Sequence, residues 1–329
     1  MNINKLNRNV VLICDRVSTR DGINILSDNL EFTSDTYFRA LSNALETTCS
    51  RVYYYNSLNC FINNIQAHQN DIVISAIWSG TKSRNRKALI ASICEAYGIT
   101  YLGADAYVQS ICQDKQLCKS LFDNSSICIP KGVLFEKNSN IHNYEALTLL
   151  KYPLIIKPNL EGSSIGISDD SIADNREQAI ANINNIINDF SPVLAEEYIP
   201  GQEISICCVG NKNVELIEAV ELQINGENYF KHKIWGYESK KGGKSEVTRK
   251  IVTSQIPQEI LEEAKKIFIQ LGKVDYMRID GRLYNNNFYL IELTPDCSLH
   301  PECFMYEAFK YNGYSYNEMI CALLNLCNK

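Results

Sequence analysis

Residues Tyr276 to Asp296 read YMRIDGRLYNNNFYLIELTPD. Two runs of alternating residues flank Asn285-Asn286-Asn287, and a polar triplet in that setting marks a β-hairpin. If the hairpin is symmetric about Asn286, Asp280 faces Glu292 and Arg278 faces Thr294. Period-two alternation then sets these four on one face and Met277, Ile279, Ile291 and Leu293 on the other, a core face. Two carboxylates directly opposite repel each other. A shared proton, nearby arginines or a divalent cation has to offset that. Two arrangements do so: a surface ladder in which Arg278 and Arg282 pair with the acids, and a hard-cation site. Mg²⁺ favours one or two carboxylates together with phosphate oxygens.

A second stretch suits the cation reading. In YPLIIKPNLEGSSIGIS, Tyr152 to Ser168, an apolar strand ends on Lys157 and runs into Gly162, Ser163, Ser164 and Gly166. A strand lysine followed by a loop of small residues suits a polyphosphate. A third stretch, GYESKKGGKSEVTRK (236–250), holds five Lys or Arg and three Gly without an apolar period. It reads either as a solvated loop or as a mobile lid over an anionic ligand. The strand lysine, the carboxylate pair and the basic loop together describe an ATP site.

With 329 residues, the chain has room for two or three domains at about 100–200 residues each. NVVLIC (9–14) and DIVISAIW (71–78) read as buried strands. SDTYFRALSNALETT, capped by Ser34, and RKALIASICEAYG, closed by Gly98, read as helices. This alternation argues for a parallel sheet flanked by helices. SICQDKQLCKSLF reads as helical, GVLF as a strand, and PQEILEEAKKIFIQLG as an amphipathic helix. The net charge of −6 and the lack of a basic segment exclude a nucleic-acid footprint. MNINKLNRNVVLIC lacks the apolar stretch of a secretory signal, and no run is long enough to span a bilayer. The thirteen cysteines form no CxxC pair and read as reduced, mostly buried core residues, so the expected location is the cytoplasm.

From about residue 109 to the end, the chain resembles the ATP-grasp superfamily, most closely the D-alanine–D-alanine ligase group. The resemblance rests on IIKPNLEGSSIGIS, LAEEYIPGQEISI, RIDGRLYNNNFYLIELTPD and the Asp114-Lys115 pair, in that family's order and at compatible spacing. It implies an α/β (α+β) ATP-grasp fold: an N-terminal parallel α/β domain (1–108), a central lobe (109–190) and a C-terminal lobe (191–329) with a lid loop at 233–252. The two lobes would sandwich ATP. By the same resemblance Lys115, Lys157 and Lys233 would meet ATP phosphates, and Ser163 and Ser164 would close the phosphate loop. The backbone of Glu197 to Ile199 would meet the adenine edge, with Glu196 on its amino group, and Glu203 would accept from the ribose. Asp280, Glu292 and Thr294 would hold one or two Mg²⁺ ions, or Mn²⁺. Arg278, Ser163 and Lys233 would form the catalytic set. The implied reaction joins a carboxylate to an amine through an acyl phosphate, releasing ADP and phosphate.

Departures from the family bear on the substrate. Thr294 stands where the family has an asparagine, Ser298 where it has a glycine, and Cys303 where a serine grips the second alanine. Glu31 is a loose match to the acid that binds the first amine. The loop SGTKSRNRKAL carries Arg84 and Arg86, which would favour an anionic substrate or an acidic carrier protein if the loop faces the cleft. The expectation is therefore a ligase whose substrate is an amino acid other than a D-alanine pair, possessing small-molecule partners and an N-terminal domain able to form a homodimer. The alternatives are a D-alanine–D-alanine ligase proper and a non-catalytic nucleotide-binding protein.

Overall fold

Val10–Cys14 (β1) is apolar throughout and buried at every residue, the pattern of a central strand covered on both faces. The computed structural model describes residues 1–15, 33–77, 83–122, 126–137, 141–234 and 246–327. In it β1 lies between Val52–Tyr55 (β2) and Ile72–Ala76 (β3), and β3 pairs with Thr100–Tyr101 (β4). All these pairings are parallel, in the order β2-β1-β3-β4. The expected parallel sheet is therefore present. Val10, Leu12 and Cys14 share a core with the helix Asp35–Thr48, while Val11 and Ile13 pack with Ala91 and Cys94 of the helix Leu89–Tyr97. Ser34 caps the first helix by accepting from the Tyr37 N–H at 3.2 Å, and Gly98, at φ +67°, closes the second.

Two antiparallel sheets follow. The first has the order β5-β8-β6-β7: Gly132–Phe135 (β5), Leu154–Pro158 (β6), Ile172–Ala173 (β7) and Val193–Glu197 (β8). The helix Arg176–Ile186 covers it through Ala179 and Ile183. The second has the order β12-β10-β9-β13-β14, with β11 (Tyr229–Phe230) added on β9. Its strands are Gly201–Gly210 (β9), Val214–Ile224 (β10), Val247–Ile251 (β12), Tyr276–Tyr284 (β13) and Asn287–Pro295 (β14). Ile204, Ile206 and Cys208 pack under the helix Gln258–Leu271, whereas Cys207 and Val209 face the helices Phe304–Tyr311 and Tyr316–Leu326. That second face shares one hydrophobic cluster with β1 and the helix Asp35–Thr48.

Only Tyr198, Ile199 and Pro200 separate β8 of one antiparallel sheet from β9 of the other. The two sheets therefore meet at a cleft floored by this short link. All thirteen cysteines are free thiols, and only Cys60 is exposed.

Candidate active site

The segment read as one helix around Asp114 is two, Ala106–Gln113 and Lys115–Ser120. Asp114 is the break: its ψ is 97° and its carboxylate accepts from the Leu117 N–H at 3.0 Å. Aspartate favours this capping position over a helix interior. The buried Asn159, just past β6, staples the break. Its amide donates to Asp114 Oδ1 at 2.8 Å and accepts from the Gln116 N–H at 3.0 Å. Lys115 at the helix start and Lys157 at the strand end are thereby brought to one place.

That place is a cavity of about 130 Å³ between the two antiparallel sheets. Lys115, Lys157, Ser164, Glu197, Ile199, Glu203, Asp280 and Glu292 all line it. Lys157 is 2 % exposed, and burial together with neighbouring Lys115 pushes its ammonium down to about 7. Its Nζ contacts Glu196 Oε2 at 2.6 Å. Glu196, expected at the adenine, is fully buried and absent from the cavity wall; its carboxylate lies between Lys157 and Lys119. Period-two alternation in β8 accounts for this, because Glu197 takes the other face. Glu203 pairs with Arg282 at 3.1 Å.

The hairpin register places Asp280 opposite Glu292 and Arg278 opposite Thr294. Its tip differs from a symmetric three-residue turn. Asn285 (φ +50°) and Asn286 (φ +62°) form a two-residue turn, and Asn287 already belongs to β14. A bulge between Asp280 and Gly281 adds one residue on β14, which restores the expected pairing of the acids. The bulge also moves Ile291 from the core face to the cavity wall. Repulsion between the acids is offset by the expected Arg278 and by partners outside a simple ladder. Asp280 receives Arg278 Nε at 3.1 Å and Nη2 at 2.9 Å, Ser205 Oγ at 2.6 Å and Thr294 Oγ1 at 2.9 Å. Glu292 meets Lys115 Nζ at 3.2 Å, and Arg282 goes to Glu203 instead.

A second cavity, of about 550 Å³, lies against the parallel sheet. Ser163, Thr294, Ser298, Arg249 and Cys303 are on its wall. Lys115, Glu161, Arg278, Glu292 and Phe304 line both cavities, so the two share a partition. The phosphate-loop residues Ser163 and Ser164 straddle it, one on each side, at φ +53° and +60°. Left-handed non-glycine residues are costly and gather at functional sites. Arg278 stands at the partition with its guanidinium 5.2 Å from the Phe304 ring centre. Burial works against its charge, but the Asp280 carboxylate more than offsets this.

Residues 121–325 match the family described as D-ala D-ala ligase C-terminus, which is well over half of the chain. The chain belongs to the D-alanine–D-alanine ligase family. It is 26 % identical over 263 residues to the D-alanine–D-alanine ligase of Pelagibacter ubique, covering 78 % of this chain and 81 % of that protein. It is 27 % identical over 271 residues to the enzyme of the same name from Halalkalibacterium halodurans (79 % and 84 %). The fold matches the Bacillus anthracis D-alanine–D-alanine ligase complexed with ATP at a TM-score of 0.72, 18 % identity and 98 % of both chains. It also matches the VanG D-Ala:D-Ser ligase of Enterococcus faecalis at 0.71 and 19 %, over 98 % of this chain and all of that one. The architecture is ATP-grasp, and the chain is an ATP-dependent ligase that forms C–N bonds between small molecules.

Of the residues expected in this ligase's site, some lie outside both cavities and others line one but are engaged by neighbouring groups. Lys233 is exposed and paired with Glu227 at 3.1 Å, outside both cavities. Most of the lid loop, 235–245, and Glu31 lie outside the described residues. Arg84 is 75 % exposed, and Arg86 is bound to Glu161 at 2.6 Å, so neither presents a bare cation to the cavity. Thr294 spends its hydroxyl proton on Asp280. Ser298 Oγ accepts from the His300 N–H at 3.2 Å, and Cys303 Sγ caps a helix by accepting from the Tyr306 N–H at 3.3 Å. Asp296, two residues beyond Thr294, binds the Ala104 N–H at 2.8 Å and Gln109 Nε2 at 2.5 Å; burial pushes its carboxyl up to about 8.

Sequence reasoning missed Lys119, Ser205, Asn159 and Phe304. Only Lys119 carried a signal, since it follows Lys115 by four residues and so shares its helix face. Among the described residues there is no cluster of three or more His, Cys, Asp or Glu able to hold a metal, and no helix long and apolar enough to cross a membrane.

Proposed function

We propose that this ligase joins two molecules of D-alanine, with ATP held in the 130 Å³ cavity and the amino acids in the 550 Å³ one. The supporting observation is the shared partition, where Lys115, Arg278 and Glu292 face both spaces. A carboxylate on one side and a γ-phosphoryl group on the other would meet there. The relatives named above are D-alanine–D-alanine ligases aligned over about four fifths of each chain. They favour this substrate over a different amino acid, and Arg84 and Arg86 no longer argue for an acidic one.

Lys157 and Lys115 hold the phosphate chain, Ser163 and Ser164 close over it, and Glu203 takes the ribose. The first carboxylate attacks the γ-phosphorus, ADP leaves, and an acyl phosphate forms. The amine of the second amino acid attacks the acyl carbon, the tetrahedral oxyanion collapses, and phosphate leaves. Arg278, fixed by two hydrogen bonds to Asp280, stabilises that oxyanion; a preorganised donor of this kind contributes about 3–4 kcal/mol. Asp280 and Glu292 fit Mg²⁺ or Mn²⁺, since two carboxylates on one cavity wall leave the other positions to phosphate and water. When bound, the ion neutralises charge on the phosphates.

The test is product release. D-alanine should elicit ADP and phosphate, with inhibition by D-cycloserine, whereas AMP and pyrophosphate would eliminate this chemistry. Cys303 favours a second reading, in which the acceptor differs from D-alanine, because its thiol stands in the family's serine position and is engaged at the helix cap. Turnover with D-alanine plus another amino acid, exceeding that with D-alanine alone, would select it.

A further inference from the structure

Lys119 is 1 % exposed and lines neither cavity. Its ammonium contacts one oxygen of Glu196, and Lys157 takes the other. All three side chains are buried, so two lysines share one carboxylate away from bulk solvent. A lone Lys157–Glu196 pair would already be balanced. The second lysine is unfavourable for its cationic neighbours: Lys115 stands one helical turn away on the same face, and like charges at that spacing repel. Burial, with Lys157 and Lys115, pushes the Lys119 ammonium well below its ordinary range. If packing were its only task, an apolar side chain of similar size would serve as well or better.

We propose that Lys119 is a positioning residue for the nucleotide: by holding Glu196, it leaves the charge of Lys157 available to the phosphates. The inference rests on the ATP-site reading above. With Lys119 in place, each oxygen of Glu196 has its own lysine, and of the two lysines only Lys157 reaches the cavity. Without Lys119, Glu196 would neutralise Lys157 alone, and the phosphate chain would meet a compensated ion pair.

The test measures MgADP affinity by calorimetry, and KM and kcat for ATP, in the full-length protein. Lys119→Met should weaken MgADP and raise the KM for ATP by about tenfold, with kcat at saturation falling much less. Lys119→Arg should retain near-native values. The double variant Lys119→Met/Glu196→Gln should recover most of the lost affinity, because no surplus carboxylate remains to neutralise Lys157. A purely structural lysine would give a double variant as weak as the single one, and that result would overturn the proposal, as would unchanged affinity in Lys119→Met. Failure of the wild-type protein to bind MgADP would instead remove the underlying site reading, and the proposal with it.

Discussion

Lys157 shows how burial becomes a pH dependence. Its ammonium sits at about 7 against an ordinary 10.5. Between those values the unfolded chain holds a proton that the folded chain has released, so this group makes stability rise with pH across that window. Nucleotide affinity runs the other way, because phosphate needs the charged lysine. MgADP affinity should weaken from about pH 7 to 9, approaching tenfold per pH unit, and Lys157→Gln should bind weakly with a flatter profile. Calorimetric titrations at several pH values check this, and parallel profiles for both proteins would contradict it. Lys157 was legible because an apolar strand ending on a lysine before small residues is a local pattern. Lys119 and Asn159 were not, because their meaning lies in partners 77 and 45 residues away. The Glu196 side chain was expected at the adenine amino group and Glu197 only through its backbone; alternation along β8 sets the Glu196 side chain off the cavity wall, where Glu197 stands.

The hairpin Tyr276–Pro295 shows how an element can be read correctly for an incomplete reason. Symmetry about Asn286 gives the right partners for Asp280 and Glu292, yet the turn is one residue shorter and a bulge makes up the difference. A bulge leaves little trace in one sequence, so the placement of Ile291 could not be read from alternation. Gly281 stands beside that bulge, where an added Cβ would lie 2.5 Å from the Tyr289 carbonyl oxygen and against the Phe288 ring. Backbone cannot yield as a flexible side chain can. Gly281→Ala should destabilise the C-terminal sheet by about 1–3 kcal/mol, seen as a lower urea midpoint, and should weaken MgADP by disturbing the two acids. An unchanged midpoint would show that the bulge adapts freely.

At the scale of the molecule, the parallel sheet followed from the order of apolar runs, and the ATP-grasp architecture from the family motifs. The core joining β1 to the C-terminal helices did not. Hydrophobic periodicity says which face of an element is buried, but not against which distant element. The same limit hid the partition: its five residues come from a helix start, a loop, two strands of a hairpin and a later helix. That partition is where a carboxylate would meet the γ-phosphoryl group. Oxygen transfer tests this most directly. D-alanine labelled with ¹⁸O in its carboxylate should deliver one labelled oxygen to each phosphate released, read by mass spectrometry or by the ³¹P isotope shift. Phosphate released during peptide formation without the label would mean that no acyl phosphate forms between the two cavities.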